Sequence, residues 1–215
     1  TVIVASLIVL MPGLMLTNAV SELSSQQLMS GTARFAGALM ILMKLTFGTV
    51  AAMQIVGLLG WVPQEAAAQP PALLPSLVAL GVAAYAFAVL FQASARDYPL
   101  VMAAVLLGYG LTRVGGELLG LASDNFAGGA FFASMGVAAI SNIYGRWRNR
   151  PGALIRVPGI ILLVPGSVGF RSLNFVMERD VILGLDTAFA LLSALIALVA
   201  GLLFGNLLVP SRRNI

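Results

Sequence analysis

Long apolar runs follow one another along this chain, each closed by a Pro, Gly or short charged cluster. The runs at 32–60, 72–95, 100–121, 127–145 and 181–209 are each close to the roughly 20 mostly apolar residues that a helix needs to cross a bilayer. Two shorter runs, 1–11 and 157–165, stop at Pro12-Gly13 and Pro165-Gly166. The chain is 60% hydrophobic and only 9% charged, with a mean hydropathy of +0.99. One water-facing globule of 215 residues cannot hide that much apolar surface. The expected fold is therefore all-α: a polytopic integral membrane protein with about seven membrane segments, two of them broken at Pro-Gly.

The same composition removes whole classes of function. With Cys 0 and His 0, zinc fingers, disulfide frameworks and imidazole-based triads are excluded. No cofactor and no metal are expected, and an enzyme is not. The net charge of +4 does not indicate a nucleic-acid partner, because the basic residues sit in short loops beside apolar runs.

Those loops set an orientation. Arg146, Arg148, Arg150 and Arg156 crowd residues 146–156, and Arg212 and Arg213 occupy the SRRNI tail. The positive-inside rule places both in the cytoplasm. The loops 62–71 and 122–126 contain neither Lys nor Arg and fit the outside. Arg96 then falls inside, while Arg171 and Arg179 fall outside, near a broken helix.

A repeat organises the segments. MPGLMLTNAVSELSSQQLMSG (11–31) aligns without gaps on VPGSVGFRSLNFVMERDVILG (164–184), pairing Pro12-Gly13 with Pro165-Gly166 and Gly31 with Gly184. Each copy is an apolar run, a Pro-Gly break, a more polar stretch, a Gly and a long apolar helix. Five segments separate corresponding elements, and an odd number inverts their direction. This is the pattern of an inverted-topology repeat, as in secondary transporters. It predicts three domain-level parts. Residues 1–61 are the end of a first transmembrane repeat whose upstream helices are missing. Residues 62–71 are an external loop, and 72–215 hold a complete second repeat of five segments. The parent would then have a five-plus-five arrangement.

Candidate chemistry clusters at the breaks. Backbone groups freed by Pro12-Gly13 and Pro165-Gly166 must face protein or a water-filled cavity. Helix ends left open there suit an anion or a cation. Thr17, Asn18, Ser21 and Glu22 follow the first break; Ser167, Arg171, Ser172 and Asn174 follow the second. The expected substrate ligands are Thr17, Asn18, Ser21, Ser167 and Arg171. Ordinary re-entrant turns with capping residues are the competing reading.

Arg113 and Glu117, spaced i, i+4, share a helix face inside an apolar run. A charge at a helix centre costs about 2.5–3.5 kcal/mol on insertion scales, so paired intramembrane charges suggest function. Arg113 could hold a substrate carboxylate, and Glu117 or Glu22 could carry a coupling proton; a structural ion pair near the outer interface competes. Ser141, Asn142 and Tyr144 either line a cytoplasmic vestibule or cap a helix end. Asp186 suits the N-terminal end of its helix dipole. Ala197, Gly201 and Gly205 form a small-xxx-small ladder for close helix packing.

PGLMLTNAVSELSSQQLMSGTARFAGALM (12–40) resembles a signature of threonine/serine exporters near the end of their first transmembrane half. RPGALIRVPGIILLVPGSVGFRSL (150–173) and GLLFGNLL (201–208) resemble that family's second half. The resemblance implies a multi-pass protein of the bacterial inner membrane with about ten spans and an N-terminal cytosolic domain. It implies proton-driven export of L-threonine and L-serine. It carries motif positions onto Pro12, Gly13, Thr17, Asn18, Pro165, Gly166 and Arg171. The expected partners are a small amino acid, protons and the lipid bilayer, with self-association or association with the upstream part left open. Two other functions remain: export of a dicarboxylate such as succinate, with Arg113 and Arg171 as anion ligands, and a non-transporting membrane scaffold or assembly subunit.

Overall fold

The computed structural model describes residues 6–60, 73–118 and 126–210. The expected external loop 62–71, the turn Ser123-Asp124-Asn125 and the SRRNI tail lie outside the described residues. Everything described is helix or short connection. The elements are α1 (Gly13–Ser24), α2 (Leu28–Leu58), α3 (Leu73–Leu90), α4 (Tyr98–Leu118), α5 (Phe126–Arg148), α6 (Ala153–Ile161), α7 (Gly166–Met177) and α8 (Val181–Leu208), with 3-10 turns at Ile8–Leu10 and Ala95–Asp97. Five stretches are long and apolar enough to cross a membrane: Leu28–Leu58, Ala95–Gly116, Ala127–Arg148, Ala153–Met177 and Val181–Leu208. Ile8–Ser24 and Leu74–Leu90 are shorter apolar helices. The chain is an all-α polytopic membrane protein.

Two details differ from the sequence reading. The more polar stretches after each Pro-Gly, for which re-entrant turns were the competing reading, are the 12-residue helices α1 and α7. Pro tolerates a helix start because the first amides have no intrahelical acceptor in any case. The Pro-Gly pairs therefore begin helices as well as ending apolar runs. The basic stretch 146–156 is also mostly helical, since Arg146 and Arg148 close α5 and Arg156 lies in α6, leaving only residues 149–152 between them.

The chain forms two compact units, one of residues 1–72 and 166–191, the other of 73–165 and 192–215. In the first, α1 folds back on α2, and α7 folds back on the beginning of α8. Both hairpins turn by the same device. At the first, Gln26 takes φ 61, the Gln26 amide donates to Leu23 O at 3.1 Å and the Gln27 amide to Glu22 O at 2.9 Å. At the second, Arg179 takes φ 69, its amide donates to Val176 O at 3.2 Å and that of Asp180 to Phe175 O at 2.9 Å. This pair of bonds around a left-handed residue is a Schellman ending. Gly31 and Gly184 then seat the hairpins: a Cβ on Gly31 would lie 2.8 Å from Leu23 Cγ, and one on Gly184 2.5 Å from Val176 Cγ2. At these turns the ungapped sequence repeat is thus also a repeat of backbone hydrogen bonding.

In the second unit, glycines let helix backbones touch. A Cβ on Gly129 of α5 would lie 2.7 Å from Thr112 O of α4. Gly201 of α8 sits against Phe131 O and Ser134 Oγ of α5, and Gly205 against Met135 O and Ala138, so the small-residue ladder packs as expected. Gly108 of α4 lies directly on the Gly159 carbonyl of α6, next to Pro158. Ala133, Val137, Ile160, Leu163 and Leu198 form the buried apolar core.

Gly108→Val should therefore lower stability by about 1–3 kcal/mol through overpacking. Gly110→Val on the same helix, where a Cβ meets nothing within 4 Å, should stay near wild type. Thermal melts in detergent compare the two; equal losses would mean that α4 and α6 do not touch at Gly108.

Candidate functional site

Within the first unit the two breaks come together. A Cβ on Gly166 would lie 3.2 Å from Gly13 Cα, 3.3 Å from Gly13 N and 3.3 Å from Met11 Cβ. Pro12, Gly13, Pro165 and Gly166 are all buried. Because Gly13 opens α1 and Gly166 opens α7, two helix N-termini converge there. Pro12 supplies no side-chain cap to α1, and the Gly13 amide is spent on Met11 O at 2.9 Å. Among the described residues, the amides of Leu14, Met15, Ser167 and Val168 donate to nothing outside their own helices. As first-turn amides they have no acceptor inside them either. Two sets of free N–H groups and two positive dipole ends thus share one locality, which is what a carboxylate requires.

The residues expected to bind substrate take different positions around this point. Thr17, one turn into α1, is buried, and its hydroxyl donates to Gly13 O at 3.2 Å, tying the side chain to the break. Ser167 is half-buried in the first turn of α7. Asn18 and Arg171 occupy equivalent repeat positions and are both exposed. Ser21 lies farther along α1, where its carbonyl accepts from the hydroxyls of Ser24 and Ser25. Ser172 is buried and donates to Gly184 O at 2.8 Å, so it holds the α7–α8 hairpin.

Glu22 does not join the breaks. It sits near the far end of α1, about 13 Å from Gly13 at 1.5 Å per residue. Its Oε1 pairs with Arg34 Nε at 2.7 Å across the α1–α2 hairpin, and its Oε2 is buried without a hydrogen-bond partner. Arg113, in the second unit, is exposed and engages Tyr109. Its Nε and Nη2 donate to the Tyr109 hydroxyl at 3.2 and 3.0 Å, and its guanidinium lies 5.4 Å from that ring's centroid. The Glu117 side chain lies outside what is described.

Three further polar features escaped the sequence reading. Lys44, the single lysine, stands near the centre of the 31-residue α2, exposed and with no ion pair among the described residues. At one end of the second unit, Asp97 is buried and accepts from Arg150 Nη1 at 2.6 Å. Hydrogen bonding to Tyr144, then that to Asp97, raises the Arg150 guanidinium above its usual range. Beside this pair, Ser141, Asn142, Arg156 and Asn206 form one hydrogen-bonded cluster joining α5, α6 and α8. Ser141 and Asn142 are therefore network members and not free vestibule residues.

An all-helical membrane protein with two broken helices meeting at their N-termini has the build of a secondary transporter. The comparisons make this specific. A family model described as Threonine/Serine exporter, ThrE, matches residues 76–208, and a second threonine/serine exporter model matches residues 1–56. The chain belongs to the threonine/serine exporter family. No curated protein and no solved structure gives a significant match.

If the breaks border water, Asn18→Cys should react with a membrane-impermeant thiol reagent, while Thr17→Cys, one residue away and buried, should not. The chain's lack of cysteine gives a clean background. Equal labelling of the two positions would contradict the placement of α1.

Proposed function

We propose that this chain forms the transmembrane machinery of an exporter that moves threonine and serine across the bacterial inner membrane, driven by the proton-motive force. The observation that carries the reading is the meeting of the α1 and α7 N-termini at Gly13 and Gly166. A zwitterionic amino acid has one carboxylate, and the free first-turn amides of Leu14, Met15, Ser167 and Val168 offer it a neutral, positively polarised cradle. Thr17 and Ser167 border that cradle, with Asn18 and Arg171 one turn farther out. Pairing the carboxylate with backbone donors needs no buried cation.

In this reading the two repeats run in opposite directions through the bilayer and rock about the shared break, exposing it to each side in turn. Glu22 is the proposed proton carrier. One of its oxygens is held by Arg34 at 2.7 Å and the other is buried without a hydrogen-bond partner, and it is the acidic group closest in sequence to the first break. The C-terminus lies in the cytoplasm, where Arg146, Arg148 and Arg150 hold the adjoining end.

Liposomes containing the full protein should move labelled threonine under an imposed proton gradient, with excess succinate competing weakly. Gly166→Val should reduce that flux at least about tenfold with insertion unchanged, because its side chain fills the space against Gly13. Gly57→Ala, where a Cβ meets nothing within 4 Å, serves as the silent control. Flux of succinate in preference to threonine would replace the cargo, and full activity in Gly166→Val would remove the site.

A further inference from the structure

Arg156 is a half-buried charge held entirely by neutral groups. Its Nε donates to Ser141 Oγ at 3.3 Å, and its Nη2 donates to Asn142 Oδ1 at 2.7 Å and Asn206 Oδ1 at 2.8 Å. The amides are themselves fixed: Asn142 Nδ2 donates to Asn206 Oδ1 at 2.9 Å and to Val209 O at 2.7 Å. One turn on from Asn142, Arg146 Nη2 donates to Pro210 O at 2.5 Å. The guanidinium is thus locked in place by partners from α5 and α8.

What the cluster lacks is a counter-charge. The nearby carboxylate, Asp97, is taken by Arg150 at 2.6 Å, and among the described residues no carboxylate pairs with Arg156. Among the described residues, Arg156 Nη1 and Asn206 Nδ2 have no acceptor, which leaves each able to donate to a ligand. Ser141, Asn142 and Asn206 have committed their oxygens to the guanidinium. A preorganised fork with spare donors, no acid and further arginines on the same end of the unit is complementary to an oxyanion.

We propose that Arg156, positioned by Ser141, Asn142 and Asn206, binds a singly charged oxyanion at the membrane–water boundary. A carboxylate and a lipid phosphate share this chemistry. The site is separate from the Pro-Gly breaks and its test does not depend on transport.

The experiment measures thermal unfolding of the full protein in nanodiscs. One arm compares phosphatidylcholine with mixtures containing phosphatidylglycerol; the other adds threonine, or acetate as a bare carboxylate, to phosphatidylcholine discs. Wild type should gain about 3 °C in Tm in at least one arm, rising with ligand concentration. A gain with phosphatidylglycerol assigns the site to a lipid phosphate, and a gain with threonine or acetate to a soluble carboxylate. Arg156→Gln should lose the gain. Asn206→Asp keeps an oxygen for Arg156 but supplies an internal counter-charge, so it should be folded, at least as stable as wild type, and unresponsive. No gain in wild type in either arm, or equal gains in wild type and Asn206→Asp, overturns the proposal.

Discussion

A helix interrupted inside a bilayer must find partners for the backbone groups that it frees, and lipid offers none. This protein meets that demand by bringing its two interruptions together. Glycine at the contact favours the approach: a Cβ on Gly166 would lie 3.2 Å from Gly13 Cα, tighter than most side-chain contacts. Pro12 and Pro165 stop the preceding runs, and the two following helices start toward the same point. The remaining architecture of the first unit serves this meeting. The Schellman turns at Gln26 and Arg179 send α2 and α8 back along the half-helices, and Gly31 and Gly184 clamp each hairpin closed. The positive ends of two helices, unfavourable to one another alone, become an asset once an anion lies between them.

Much of this was legible in the residues because the repeat is ungapped and its markers, Pro-Gly and Gly, have backbone consequences at fixed spacing. The number of apolar segments followed from helix length and bilayer thickness. The small-residue ladder at Ala197, Gly201 and Gly205 was readable for the same reason: period and residue size determine what can approach. What was not legible has equally physical causes. The stretches 13–24 and 166–177 read only as more polar segments, because polarity hides a helix whose apolar face is covered by a hairpin partner. The left-handed turn residues are Gln26 and Arg179, where sequence rules anticipate glycine or asparagine.

Side-chain partnerships were the least readable. The spacing of Arg113 did not reveal that Tyr109, four residues before it, offers it a hydroxyl and an aromatic face together. Arg156 looked like one of a crowd of cytoplasmic topology markers. Its role depends on Asn206, distant in the chain, and no local pattern encodes that contact. Lys44 was hidden inside an otherwise apolar run, although a cation near the centre of α2 was the signal available. Membership in the threonine/serine exporter family frames all of these residues without assigning roles to them.

The central claim is that the two helix breaks share one place. It is tested most directly by a disulfide. Met11→Cys combined with Gly166→Cys in the cysteine-free chain puts two sulfurs where the β-carbon separation is 3.3 Å, close to the range that a disulfide spans. Mild oxidation in native membranes should cross-link the pair rapidly within single molecules, and Met11→Cys with Gly57→Cys should not cross-link. Failure of the first pair to form a bond under conditions that oxidise accessible thiols would contradict the account.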